Sequence, residues 1–283
     1  MFSSLRRFLM TRAFFNFIKT NMLEISILTE NAASGKFLAE HGLSYFIKYD
    51  SEILFDTGHS DIFLQNAKKL NIDIDKIKTV VLSHGHWDHG NGLKFIENKK
   101  LICHPDVFQK RFGKGKKENI GIDQSFDKLK SKFEIITSRK PYPLSKNIIY
   151  LGEIPRLNNF ESLITTFTLE NGNEDFIIDD SGLVIKLDNE IVVISGCAHS
   201  GICNMIEYAK TITGINKIRA VIGGFHLNRN NLQTQETIKY LKTQDIKELY
   251  PSHCTELPAL ASFYNEFNTK QIKVGMILKF DKE

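Results

Sequence analysis

Three histidines and a carboxylate fall within six positions in the stretch His84-Gly85-His86-Trp87-Asp88-His89. Imidazole nitrogens and carboxylate oxygens are donors that divalent transition ions take from proteins. The stretch follows Thr79-Val80-Val81-Leu82, a β-branched and apolar run that reads as a short buried strand. In extended backbone, residues two apart face the same side, so His84 and His86 can share one ion. On a helix they would diverge by about 200° and could not chelate together. Asp88 and His89 fall beyond the turn and can face the same cavity from another side. Gly85 and Gly90 relieve the crowding of so compact a loop.

One loop encloses an ion poorly, so further donors are expected at other strand ends. Ile191-Val192-Val193-Ile194-Ser195 ends in Gly196-Cys197-Ala198-His199. Val221-Ile222 ends in Gly223-Gly224-Phe225-His226, and Leu249-Tyr250 in Pro251-Ser252-His253-Cys254. Each is an apolar strand followed by a thiol or an imidazole, and binding residues concentrate in such loops. His41, His59 and His104 lack this arrangement and read as surface or structural residues.

The elements that must position these residues follow from periodicity. Strands are expected over 23–29, 43–49, 52–55, 79–82, 101–103, 133–137, 148–151, 217–222, 248–250 and 272–280. A hairpin is expected from 182–187 and 190–195, turning at Asp188-Asn189. Helical spacing marks 62–70, 202–213, 232–243 and 257–268, with shorter helices near 93–96 and 105–112. The lysine-rich stretch 113–132 is weakly patterned and suits an insertion or a lid. Strands in each half with helices between them suit two sheets packed face to face, helices outside, in one α/β domain over 23–283.

Composition narrows the function classes. Residues 1–22 hold Arg6, Arg7, Arg12 and Lys19 and no acid, which accounts for the whole net charge of +4. The remainder is neutral, which argues against nucleic acid as the partner. The basic, phenylalanine-rich extension suits a surface anchor, a targeting peptide or a plain extension ahead of Met22. No apolar stretch approaches the roughly 20 residues of a membrane span. The four cysteines are scattered without a Cys-x-x-Cys pair, which suits a reducing, cytoplasmic compartment better than a disulfide framework.

Residues 23–283 resemble the metallo-β-lactamase fold superfamily. His84-Gly-His86-Trp-Asp88-His89 matches its H-x-H-x-D-H signature, and Leu54-Phe55-Asp56-Thr57-Gly58 is similar to its earlier aspartate motif. The resemblance implies an αββα four-layer sandwich, with mixed sheets inside and helices outside. It also implies one or two divalent ions, zinc foremost, with iron or manganese as alternatives. It assigns His84 and His86 to a first ion, Asp88 and His89 to a second, His253 as the last histidine ligand and Asp56 as a brace of the loop. Two departures stand out. Cys197 occupies what resembles the place of a bridging aspartate, and a thiolate shifts preference away from magnesium or calcium. The usual third histidine is absent, with Glu153 nearest its expected place and His199 able to compensate.

Gly152-Glu153-Ile154-Pro155-Arg156, Ser195–Gly201, Gly223–Leu227 and His253-Cys254-Thr255 together resemble one branch of the superfamily. These are the 7,8-dihydropterin-6-ylmethyl-4-(β-D-ribofuranosyl)aminobenzene-5′-phosphate synthases, also described as metal-dependent hydrolases. The branch implies a metal-dependent hydrolase or transferase acting on a small phosphorylated or pterin-type substrate. Beside Asp88, His226 then suits a general acid or substrate ligand, and His199 a ligand or proton shuttle. Arg156 suits a phosphate as a planar bidentate donor, as do the free N–H groups where a helix opens at Gly201-Ile202. Asp179-Asp180 could cap or orient the site. The competing expectation is a metal-binding redox or sensor protein, because one scaffold hosts many chemistries.

Overall fold

The structure is a computed structural model that describes residues 22–282. The basic extension expected over 1–22 lies, apart from Met22, outside the described residues. In chain order the first strands are β1 (Leu23–Thr29), β2 (Ser44–Lys48), β3 (Glu52–Phe55), β4 (Thr79–Val81), β5 (Lys99–Cys103), β6 (Arg111–Gly113) and β7 (Phe133–Thr137). They are followed by β8 (Tyr142–Pro143), β9 (Ile148–Tyr150), β10 (Phe167–Leu169), β11 (Gly182–Leu187) and β12 (Glu190–Ser195). The last are β13 (Lys217–Gly224), β14 (Ile246–Ser252) and β15 (Ile277–Phe280). Two mixed sheets result, ordered β15-β1-β2-β3-β4-β5-β7 and β14-β13-β12-β11-β9-β8. β6 and β10 form a separate ribbon.

Alternation along each strand decides which layer a side chain joins. In β12, Val192 and Ile194 face the layer between the sheets, whereas Ile191 and Val193 face outward. That inner layer takes Tyr45, Phe55 and Val81 from one sheet and Tyr150, Leu183 and Ile222 from the other. Helix α1 (Ile62–Lys69) covers the outside of the first sheet through Phe63 and Ala67. Two short helices follow, α2 (Trp87–Gly90) and α3 (Phe126–Lys130). The second sheet is covered by α4 (Ile202–Thr213), α5 (Leu232–Lys242) and α6 (Leu257–Phe267). This is the αββα sandwich with mixed sheets inside.

The 182–195 hairpin forms in the expected register, Leu187 opposite Glu190, with Asp188 at φ +49° in the turn. The 272–280 strand is shorter than its pattern. Ile272 and Val274 are buried, but Gly275 at φ +91° breaks the extended run before β15. The helix expected near 105–112 is a single turn over Pro105–Phe108, because Arg111–Gly113 instead pair with Phe167–Leu169.

Strands β3, β4, β5 and β7 run parallel, as do β12, β13 and β14. In open α/β sheets ligands bind outside the carboxyl ends of such strands. Asp56, Ser83, Cys197, His226 and His253 all follow those ends.

Candidate metal centre

Asp56 organises the loop that leaves β4. It sits at φ +55°, a left-handed conformation that a non-glycine residue keeps only when its surroundings hold it there. Its amide donates to Val81 O at 2.8 Å. Its carboxylate accepts from Ser83 N, Ser83 Oγ and His89 Nδ1, each at 2.7 Å. The proton of His89 is thereby placed on Nδ1, which leaves Nε2 free as a donor atom. Ser83 Oγ also lies 2.9 Å from His84 Nδ1, which turns His84 Nε2 into the site. Gly85 packs against the chain at Val107, where a Cβ would come within 2.1 Å of the carbonyl oxygen. Only glycine fits there.

Two groups of donors converge beyond this loop. His84 Nε2 lies 2.9 Å from His86 Nδ1, and His199 joins them with its ring centroid 4.9 Å from each. Opposite, His89 Nε2 lies 3.1 Å from His253 Nε2, and Asp88 Oδ2 lies 3.3 Å from the same His253 atom. Cys197 stands between the groups, its Sγ 3.2 Å from His89 Nε2 and grouped with His84 as well. A tetrahedral ion with bonds of ~2.1 Å needs donor atoms about 3.4 Å apart, and these separations fall around that value. His86 Nε2 and His199 Nε2 are buried with no hydrogen-bond partner, so neither ring is held by a protein network on that side. The clustered histidine, cysteine and aspartate side chains suit one or two divalent ions.

Electrostatics sort the same residues. Burial pushes the pKa of His84, His86 and His199 well below the ordinary imidazole value, so these rings are neutral donors. Burial acts likewise on His89 and His253, but Asp88 beside both outweighs it and raises them. For Asp88 the burial penalty is overcome by His89, His253 and His41, which hold the carboxyl well below its usual range. His86, Asp88, Cys197, His199 and His253 border a cavity of about 630 Å³. His226 faces it 4.1 Å from His199 between ring centroids, with Nδ1 unpartnered. Trp87, Phe167 and the exposed Leu257 and Lys116 also line it.

Supports from outside the motif hold the loops. Asp179 accepts from Gly85 N at 2.8 Å and meets the fully buried Arg111 Nη2 at 2.6 Å. Asp180 accepts from Ser200 N at 2.9 Å and Ser200 Oγ at 2.5 Å, beside His199. Both acids are buried rather than solvated. The 113–132 stretch also joins the ligand loop, through Trp87 N to Ile120 O at 3.1 Å and Ile122 N to Gly85 O at 3.2 Å. Burial raises the Asp180 pKa to about 6, from an ordinary value of 3.8. A carboxyl raised on folding contributes fully below pH 3.8 and loses that contribution as pH rises through about 6. Between pH 4 and pH 7 the metal-free native chain is therefore expected to lose about 2 kcal/mol relative to Asp180→Asn. Urea denaturation of both at the two pH values measures this, and parallel pH profiles would contradict it.

Three expectations are corrected. Glu153 does not stand in for a third histidine: Gly152 at φ +73° turns it away to His104 Nε2 at 3.4 Å and Arg139 Nη1 at 3.1 Å. His199 occupies the position beside His84 and His86 instead. Arg156 does not border the cavity, because Nε donates to Ser162 Oγ at 3.0 Å and Nη2 to Phe176 O at 2.7 Å. The amides opening α4 are taken internally, Cys203 N and Asn204 N each donating to Glu161 at 3.0 Å. His41, read as surface or structural, is exposed yet places Nε2 3.1 Å from Asp88 Oδ2. No strand precedes it, so no pattern marked it. Cys254, which follows His253 at the end of β14, also borders the cavity.

Such a sandwich, with His/Asp/Cys donors at one rim, defines a metallo-β-lactamase-type protein. The model of the metallo-beta-lactamase superfamily matches residues 39–104. The chain is 35% identical to the 7,8-dihydropterin-6-methyl-4-(beta-D-ribofuranosyl)-aminobenzene-5'-phosphate synthase of Methanocaldococcus jannaschii, across 94% of this chain and 99% of that protein. The chain belongs to the metallo-beta-lactamase superfamily. Its structure is similar to a metal-dependent hydrolase of the beta-lactamase superfamily, with a TM-score of 0.82 and 29% identity over 92% of this chain and 99% of that one. A diphosphatase from the PhnP family shares the fold alone, at a TM-score of 0.52 and 14% identity over 92% and 97% of the two chains. The chain is thus a metal-dependent enzyme of hydrolase or transferase type. Among the described residues no helix is long and apolar enough to cross a membrane.

Proposed function

We propose that the chain transfers a dihydropterin-methyl group to an aryl ribofuranosyl phosphate, with loss of a phosphate or diphosphate leaving group. The observation that carries the metal-dependent part is the convergence of His84, His86 and His199 with Asp88, His89 and His253 on either side of Cys197. The substrate part is supported by the 35% identity to the named synthase across nearly the full length of both chains. In this reading His84, His86 and His199 would hold one ion and Asp88, His89 and His253 a second, with Cys197 able to serve either. Zinc suits a histidine and thiolate donor set better than magnesium or calcium. When bound, such ions supply Lewis acidity to the oxygen of a leaving phosphate.

The chain's own residues do the rest. Burial keeps His84, His86 and His199 neutral and ready to bind. Burial would lower the pKa of His226 too, but Cys254 beside it prevails and raises it. Its ring can then hold a proton at the cavity wall for a departing oxygen. Trp87 and Phe167 offer aromatic faces to a flat pterin or aryl ring. Lys116 at the rim suits the phosphate in place of Arg156.

The test incubates zinc-loaded protein with a dihydropterin carrying a diphosphate-activated 6-methylene and with the aryl ribofuranosyl phosphate. Formation of the joined product, lost on chelation and restored by zinc, is expected. Hydrolysis of phosphate esters without joining would leave a metal-dependent hydrolase and refute the transfer.

A further inference from the structure

We infer that Cys254 is a second thiolate donor to the metal centre, opposite Cys197, so that the centre takes a thiophilic ion on its His253 side. The inference rests on the metal-centre reading above and adds to it a ligand that lies outside the H-x-H-x-D-H pattern.

The four cysteines divide into two kinds. Cys103 and Cys203 are packed into the apolar clusters outside the two sheets. Cys197 and Cys254 belong to neither cluster and border the cavity. Cys197 Sγ, Cys254 Sγ and a His253 ring nitrogen all lie within 4.8 Å of one another. With bonds of ~2.0–2.3 Å to sulfur and nitrogen, one tetrahedral ion spans donors ~3.4–3.8 Å apart, so small side-chain adjustments close such a group.

The backbone makes room for this thiol. Cys254 follows β14, whose Ser252 pairs with Gly224 at the end of β13. A Cβ on Gly224 would come within 2.5 Å of Cys254 Sγ and of Gly196 O. The missing side chain at 224 is what lets the sulfur lie beside the Cys197 loop. There it receives the His226 amide, whose N lies 3.3 Å from Sγ. An N–H aimed at sulfur favours a thiolate. Apolar packing does not explain that placement; Sγ also lies 3.5 Å from Cys197 O, a long contact, and a soft cation between the sulfurs would hold it more firmly.

Cobalt(II) replacing zinc in the full-length chain reads the ligands directly, because each thiolate bond adds sulfur-to-cobalt charge-transfer absorption. The native chain, loaded to saturation, is expected to show this band, and Cys254→Ser to lose about half of its intensity at equal cobalt content. Cys197→Ser is the decisive second variant. It must keep a charge-transfer band, which then comes from Cys254, and Cys197→Ser with Cys254→Ser must have none. Full native intensity in Cys254→Ser, or no band in Cys197→Ser, would overturn the inference while leaving the histidine-bound metal intact. A native chain that takes up no cobalt at all would overturn the metal-centre reading itself.

Discussion

Asp56→Asn is expected to lower metal affinity by about 10- to 100-fold and to cost the metal-free chain about 1–3 kcal/mol, although it touches no ion. The native carboxylate takes three donors at once, Ser83 N, Ser83 Oγ and His89 Nδ1. An amide of the same shape offers one oxygen and turns an NH₂ toward the remaining donors. One buried N–H or O–H is left without an acceptor, and each such loss costs about 1–3 kcal/mol. His89 is the sensitive partner. Without a carboxylate at Nδ1 it can carry its proton on Nε2, the atom aimed at His253 and Cys197, and so stop being a donor. Asp56 is itself held at φ +55°, so the backbone cannot swing another oxygen into place. Chelator competition measures the affinity, and urea denaturation of metal-free protein measures the stability. Native affinity in Asp56→Asn would mean that the loop holds His89 without it.

What was legible in the sequence follows from which contacts are local. His84, His86, Asp88 and His89 lie on one loop, so spacing alone places them together. Strand ends marked Cys197, His199, His226 and His253, because an apolar run that stops at a ligand-type residue shows in any window of the chain. Arg111 carries no such mark. It reads as one more base near a lysine-rich stretch, and its burial against Asp179 appears only when β6 pairs with β10, more than fifty residues away. Shorter separations hide the partners of Arg156, at Ser162 and Phe176, and of Glu153, at Arg139 and His104. Each has a local context that suits phosphate or metal, and each is claimed by a loop that periodicity does not describe. The opening of α4 hides its occupant for a related reason. An anion does sit on those amides, but the chain supplies it as Glu161.

His84→Ala with His86→Ala is expected to remove most of the bound metal, leaving at most the ion on the Asp88 side. The pair supplies two of the three nitrogens on its side of Cys197, and His199 alone cannot hold an ion against water. The same substitution changes how the metal-free chain responds to acid, with a sign opposite to that of Asp180. Burial depresses the pKa of both rings below the ordinary 6.5, so the unfolded chain binds protons that the folded chain refuses. Their contribution is therefore complete above pH 6.5 and is lost as pH falls through the depressed values. The double variant has no such imidazoles and should lose less stability than the native chain below that pH. Metal analysis after dialysis and denaturation of both metal-free proteins across the acid range measure the two effects. Native metal content in the double variant would place the ion elsewhere. Unchanged acid sensitivity with lost metal would mean that the rings bind the ion but leave the pocket when it is gone. Because His84 is fully buried beside Ser83 and His89, the rings are expected to stay, and the empty site to be the acid-sensitive part of the fold.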